Sequence, residues 1–298
     1  MQTTSTQFFL KKIARKPYLF WCGFCFSEET MIITALTCAC ADVFENGNVY
    51  PGGEALNYAC AAKNADAEAQ VYLIGAAGED EYERLIRRTA AEHGVDMSHF
   101  YTLSGRTARN ITYLTEDGDR YYKPDSWDGG VYSGFIPSAD DDELILSSDV
   151  VHTTVTCPAF AHAAALKKRG KFRFSVDFDN TRNFSDFEEF FADIDFAFMS
   201  GDEEVCRKAQ ELSEKYGGIF TVTLAAEGSK SYFRGREHVC AAEKFGEVVD
   251  TTGCGDNFQA GFAVDFMLNR DISSALRSGS RCAAKVLGIY GGIPQKGA

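Results

Sequence analysis

The chain is short of positive charge. Lysine and arginine number 30 against 43 aspartates and glutamates, a formal net charge of −13. An acidic surface repels phosphate backbones and anionic lipid, so neither nucleic acid nor a membrane surface is expected as a partner. Any phosphate site must then be built locally, from backbone amides and a few cations. Long apolar runs are missing too, and none approaches the ~20 residues that span a bilayer. There are ten cysteines, but they are scattered. The CxxC pair Cys22–Cys25 has no second pair at zinc spacing, so the cysteines read as buried thiols of a reducing cytoplasm. Internal repeats, low-complexity stretches and long linkers are also lacking. What remains, 298 residues at 45% hydrophobic content, suffices for one large α/β domain or two smaller ones.

The first thirty residues differ from the rest. Lys11, Lys12, Arg15 and Lys16 precede an apolar run over 17–26, in the manner of a secretory signal. Ser27, Glu28, Glu29 and Thr30 then stand where a small-residue cleavage motif belongs. A strand pattern opens at Met31. The expected domain therefore covers 31–298, with 1–30 outside the fold. A genuine N-terminal extension and a secretory signal are the alternatives.

From Met31 the hydrophobic pattern alternates between periods of 2 and 3.6. Strands are expected over 31–41, 69–75, 149–155, 172–178, 196–200 and 219–224. Helices are expected over 53–65, 79–93, 160–169, 186–192, 202–216, 255–268 and 272–290. Such alternation implies a mostly parallel sheet covered by helices on both faces. The segment 109–123 breaks the pattern, with β-rich flanks around Glu116, Asp117, Gly118 and Asp119, which is a hairpin signature. It reads as a small β-lid, formed from about 42–52 and 107–125, over the edge where ligands bind in such sheets.

The most informative stretch is Asp250-Thr-Thr-Gly-Cys-Gly-Asp256, between a strand end and a helix start. The first amides of a helix lack internal partners and lie at its positive end. Gly253, Cys254 and Gly255 can thus form an anion hole. Asp256, in the first turn, can accept a proton from a hydroxyl attacking beside that hole. The helix dipole should keep it ionised. The bland alternative is a capped helix with a glycine-rich entry.

This stretch resembles the C-terminal signature of the PfkB, or ribokinase-like, carbohydrate kinases, usually DTxGAGD, with Cys254 in place of Ala. The resemblance implies a three-layer α/β/α domain, Asp256 as catalytic base, and ATP with Mg2+ as phosphoryl donor. Gly52, Gly53 and Asn57 match the family's GGxxxN sugar-binding segment, with Asp42 at the end of the preceding strand. Thr37-Cys-Ala-Cys40 departs from the usual Gly-Asp pair. The segment 222–228 resembles the nucleotide loop, with Ala225 for its first glycine, so Thr223 and Gly228, together with Thr252 and Ala283, are expected near ATP. Glu203 keeps the acid of an NxxE motif that organises magnesium. It could equally be a helix N-terminal charge facing the dipole. Asp250 is expected either to hold a monovalent cation such as K+ or to be structural. Arg109, at the head of the hairpin, is expected to meet the substrate or to be a solvated lid arginine. Segments 149–152, 175–178, 195–198 and 281–285 resemble the fructoselysine 6-kinase group. That implies a sugar–amine adduct phosphorylated on a primary hydroxyl. The rival readings are a kinase for fructose, ribose or a nucleoside, and a catalytically silent sugar sensor. Exposed lid strands suggest a homodimer.

If the fold begins at Met31, a chain starting there should match the full chain in melting temperature and turnover. A loss of several degrees would show that the first thirty residues pack on the core.

Overall fold

The computed structural model describes residues 30–116, 119–244 and 246–294. The expectation for the N-terminal segment therefore lies, but for Thr30, outside the described residues, and so does the Cys22–Cys25 pair. Cys38, Cys40, Cys157 and Cys206 are buried free thiols.

The apolar run expected as one strand over 31–41 divides between two sheets. β1 (Ile32–Leu36) enters the main sheet and β2 (Cys40–Phe44) enters the lid. The break has a cause: the Cys38 carbonyl turns to accept the amide of Ala55 at 2.9 Å, tying this bend to the next helix. β3 (Val49–Gly52) returns antiparallel to β2. α1 (Glu54–Ala65), β4 (Gln70–Gly78) and α2 (Glu81–His93) follow. The ends of α2 are written locally. Asp80 accepts from the amides of Tyr82 and Glu83, and Gly94 closes the helix at φ 74°, the left-handed stop.

β5 (Phe100–Leu103) is an edge of the main sheet. β6 (Arg109–Leu114), β7 (Arg120–Tyr121) and β8 (Trp127–Asp128) complete a five-stranded lid. The expected hairpin is present, with Tyr113 opposite Tyr121 and Leu114 opposite Arg120. Residues 117–118, at its tip, lie outside the described residues.

α3 (Ala139–Ser147), which the periodicity did not reveal, precedes β9 (Val150–Thr154), α4 (Phe160–Lys167), β10 (Arg173–Asp177) and β11 (Phe196–Ser200). Then come α5 (Glu203–Tyr216), β12 (Ile219–Thr223), β13 (Ser229–Phe233), β14 (Arg236–Cys240), α6 (Cys254–Asn269) and α7 (Ile272–Ala284). The main sheet runs β14-β13-β12-β11-β10-β9-β1-β4-β5. It is parallel except where β13 and β14 join antiparallel.

Two expected helices come out differently. Instead of a helix over 186–192 there are two 3-10 turns, Phe184–Phe187 and Phe191–Asp193. Phe184, Phe187 and Phe191 all pack around the Phe178 ring, at 6.1, 5.5 and 5.4 Å. These three positions also share one face of a helix, so the expected period is present and only the hydrogen-bond pattern differs, closing as two 3-10 turns. The last helix stops at Ala284 rather than 290. The chain beyond it is drawn into bonds with the segment before α6: Val249 N donates to Leu287 O at 2.8 Å.

The core lies on both faces of the main sheet, and neighbouring strand residues alternate between them. Phe196 and Phe198 join the layer of α1, α2, α6 and α7, while Ala197 and Met199 join that of α3, α4 and α5. α6 is anchored by Phe258, Phe262 and Phe266, four residues apart on one stripe. Phe262 sits 5.4 Å from Phe198 and 6.0 Å from Phe196, edge to face. Each ring so buried stabilises by about 1.5–3 kcal/mol, which fixes where the first turn of α6 lies. Among the described residues no helix is long and apolar enough to cross a membrane.

Candidate active site

A cleft of about 1640 Å³ opens beyond the carboxyl ends of β10, β11 and β12 and under the lid. Asp177, Ser200 and Thr223 end those three strands and line it. Asp256 stands in its wall and is 9% exposed.

The turn into α6 has the backbone the sequence suggested. Gly253 takes φ 73°, and a Cβ there would meet Gly292 Cα at 2.5 Å, so only glycine fits. Among the described residues, the amides of Gly253 and Gly255 have no backbone partner, whereas Cys254 N donates to Thr251 O at 3.2 Å. Of the three amides expected to form an anion hole, that of Cys254, which also lines the cleft, is thus the one with a backbone partner. Thr252 and Asp250 are buried behind the turn. Asp250 Oδ1 accepts from Thr252 N and Oγ1 at 2.8 and 2.6 Å, and Oδ2 accepts from Gly291 N at 2.7 Å. Of the two readings of Asp250, the structural one describes these contacts.

Asn57, on α1, donates from Nδ2 to Asp256 Oδ2 at 2.8 Å. Asp42 and Gly53 also line the cleft. Gly52 does not, but a Cβ on it would overlap the Asp42 carboxylate, so its lack of a side chain makes room for that group. Arg109 is directed elsewhere: its Nε lies 3.5 Å from Asp128 Oδ2. Side chains alternate along a strand, and it is the neighbouring Asn110 that lines the cleft. The lid's cation in the site is Arg120, on β7. It hydrogen bonds to Tyr122 and acts on Asp256, Asp42 and Asp179. Of the two expectations for Arg109, substrate contact fails on strand parity and the exposed lid arginine describes its place beside Asp128; parity was the signal that could have found Asn110. The lid also touches the catalytic turn, as Thr251 Oγ1 donates to Asp119 Oδ1 at 3.0 Å.

Sequence reasoning also missed the concentration of acid. Burial pushes the carboxyls of Asp42 and Asp256 up to about 7, Glu54 to about 8 and Asp177 to about 6. For Asp256 the Asn57 hydrogen bond opposes the rise and the nearby Asp177 adds to it. The expectation that the dipole keeps Asp256 ionised does not survive. A helix dipole is worth at most about 2 kcal/mol, or about 1.5 pK units. Full burial moves a carboxyl by up to about 3–5 units.

The other end of the cleft carries the nucleotide candidates Thr223, Gly228, Thr252 and Ala283. Ala225, where the signature has glycine, keeps a left-handed turn at φ 49°, at a cost of about 1–2 kcal/mol. Glu203 is absent from the lining. Its Oε1 accepts from Lys230 at 2.7 Å, and its neighbour Asp202 faces the cleft instead. Among the described residues no three His, Cys, Asp or Glu side chains are grouped to hold a metal. A cation bridging phosphates needs only one or two carboxylates, and Asp179 and Asp202 line the cleft. The residues present fit magnesium carried mainly by phosphate oxygens.

The model of the pfkB family carbohydrate kinases matches residues 39–296. This chain belongs to that family. The pfkB kinase is 29% identical to a fructoselysine 6-kinase of Escherichia coli over 259 residues, covering 85% of this chain and 95% of the relative. It is 29% identical to a fructosamine kinase of Bacillus subtilis, covering 81% and 85% of the two chains. Its fold is similar to that of an adenosine kinase from Sinorhizobium meliloti, with TM-score 0.76, 22% identity and 89% and 96% coverage. A ribokinase of Arabidopsis thaliana, solved with ribose and ATP, gives TM-score 0.75 at 20% identity, with 89% and 96% coverage. The fold is ribokinase-like, and the pfkB chain is a phosphotransferase acting on an alcohol group.

Asp256→Asn keeps the shape of the carboxylate but not its basicity. The variant should fold, by its melting curve, and lose about 10²–10⁴ in kcat, the worth of a positioned base. In the wild type, a base whose carboxyl titrates near 7 is protonated below that pH, so kcat/KM should climb as pH rises through about 7. Asp42, Glu54 and Asp177 face the same space and will broaden the limb, while Arg120 stays charged throughout. A folded Asn variant with near-normal turnover, or a flat profile from acid to neutral pH, would remove Asp256 as the base.

Proposed function

We propose that this chain transfers the γ-phosphoryl group of ATP to a primary hydroxyl of a sugar–amine adduct such as fructoselysine. The observation that carries the reading is the placement of Asp256, a buried carboxyl beside two unpaired glycine amides in a cleft with room for both substrates. The choice of adduct over free sugar rests on the fructoselysine and fructosamine kinases among the relatives.

In this mechanism Asn57 orients Asp256, which accepts the hydroxyl proton as oxygen attacks phosphorus. The Gly253 and Gly255 amides receive the equatorial oxygens of the transferring group, where a preorganised donor is worth most. Asp42 and Asn110 hold sugar hydroxyls by paired hydrogen bonds. Thr223, Gly228, Thr252 and Ala283 border the nucleotide. Magnesium, held by Asp202, would neutralise charge on the phosphates. Contact between the lid and the catalytic turn excludes water while phosphorus is attacked. The chemistry suits a cytoplasmic enzyme with its supply of ATP.

An ADP-release assay over fructoselysine, fructose, ribose and adenosine tests the assignment. The highest kcat/KM should fall on the adduct. A preference for ribose or adenosine would make it a kinase of another furanose. Sugar binding without ADP release would make it a sensor.

The same proposal includes a homodimer through the lid, whose strands leave Ile111 and Tyr121 exposed at 39% and 41% on the face away from Asn110. Such residues on open strands favour pairing. Sedimentation velocity should give a dimer, and a monomer at micromolar concentration would end that part of the reading.

A further inference from the structure

The sugar end of the cleft is built almost wholly of acceptors. Asp42, Glu54, Asp177, Asp179 and Asp256 all border it, against Arg120 from the lid. Two buried amide oxygens add to them. Asn57 Oδ1 and Gln259 Oε1, in residues 3% and 5% exposed, have no hydrogen-bond partner among the described residues. Both residues line the cleft. Buried acceptors without donors cost free energy, and carboxylates gathered with few cations cost more. The missing complement is rich in donors and positively charged.

The five acids are not equivalent. Arg120 acts on Asp42, Asp177, Asp179 and Asp256. Glu54, the first residue of α1, makes no ion pair with a described residue; it accepts one hydrogen bond, from Thr37 Oγ1 at 3.0 Å. The charged groups acting most on it are Asp256, Asp177 and Asp179, all carboxylates. Asp177 is held from behind: Oδ1 accepts from Asp179 N and Oδ2 from Gln259 Nε2, each at 2.7 Å. Gln259 lies one helical turn beyond Asp256, so this second carboxylate is fixed relative to the base. Both carboxyls border the cleft beside Asp256, where burial favours their neutral forms and a bound cation would favour the charged ones.

Building on the sugar-kinase reading above, we infer that Glu54 and Asp177 form an ammonium subsite, which recognises the protonated amine of an amine-substituted sugar and discriminates against neutral sugars. A glutamate at the first position of a helix is also favoured by the dipole alone. That structural role would affect every substrate alike, whereas an ammonium subsite affects only the charged one. Charge-assisted hydrogen bonds are roughly twice as strong as neutral ones, so losing one carboxylate should weaken the charged ligand by about 10–100-fold.

Glu54→Gln and Asp177→Asn are compared with wild type using fructosyl-propylamine, which carries the ammonium and no carboxylate, and fructose. Calorimetric binding and kcat/KM are measured for each, with a melting curve for both variants. The expected result is a loss of about 10–100-fold on the amine, with less than about 3-fold on fructose, in whichever variants fold. Equal losses on the two ligands would overturn the inference, as would failure of wild type to bind the amine more tightly than fructose. Tight amine binding that depends on Glu54 but gives no phosphorylation would uphold the subsite and sink the kinase reading. Phosphorylation of fructose with no preference for the amine would do the reverse.

Discussion

The position of the first turn of α6 is the constraint on which the site depends. Two unpaired glycine amides and one buried carboxyl occupy that turn, and none of them works if it moves by an ångström. Its placement is set from several sides. The Phe258, Phe262 and Phe266 stripe locks the helix to β11. Gly253 presses on Gly292. Asp250 fastens the entry to Gly291, and Asn257 Nδ2 reaches the carbonyls of Gly253 and Gly292 at 2.8 and 2.9 Å. The loop after α7 thus serves as a backstop for the anion hole, which explains why the last helix ends early.

The cleft divides by charge in a way that suits its two ligands. The polyanion meets backbone amides and the end of a helix dipole. The sugar end is acidic, with its carboxyls buried and one lid arginine beside them. A phosphate straying to the acidic end would be repelled, so the donor and acceptor are sorted by sign as well as by shape. Arg120, the main positive charge at that end of the cleft, is carried by the lid.

Much of this was readable in the sequence, for identifiable reasons. The turn 250–256 declares itself because glycine spacing, a helix start and an acid coincide within seven residues. The alternating elements and the hairpin follow from periodicity. What escaped depends on information that is not local. The run 31–41 is uniformly apolar, so nothing within it marks the bend that sends Asp42 into the lid. Arg109 and Arg120 are equally basic in the sequence; strand parity and the hairpin register decide which one faces the cleft. Glu203 and Asp202 are adjacent acids, and capping geometry turned one toward Lys230. The raised carboxyls could not be foreseen, because Asp42, Glu54, Asp177 and Asp256 are far apart along the chain and desolvate one another only when folded. The phenylalanines around Phe178 carry a helical period, which the chain meets with two 3-10 turns in place of one helix.

The hydrogen bond between Asn57 and Asp256 spans 199 positions of chain. Its two ends lie on elements made far apart in synthesis, and β1, inside the sheet between β9 and β4, waits for partners on both sides. Closing so long a loop is entropically costly and comes after local structure has formed. On the ribosome, α1 and the lid strands emerge well before α6, leaving their polar cleft side without its far wall. The nascent chain therefore holds a half-built acidic surface for most of its synthesis and acquires the orienting contact to its base only once its last fifth has been made.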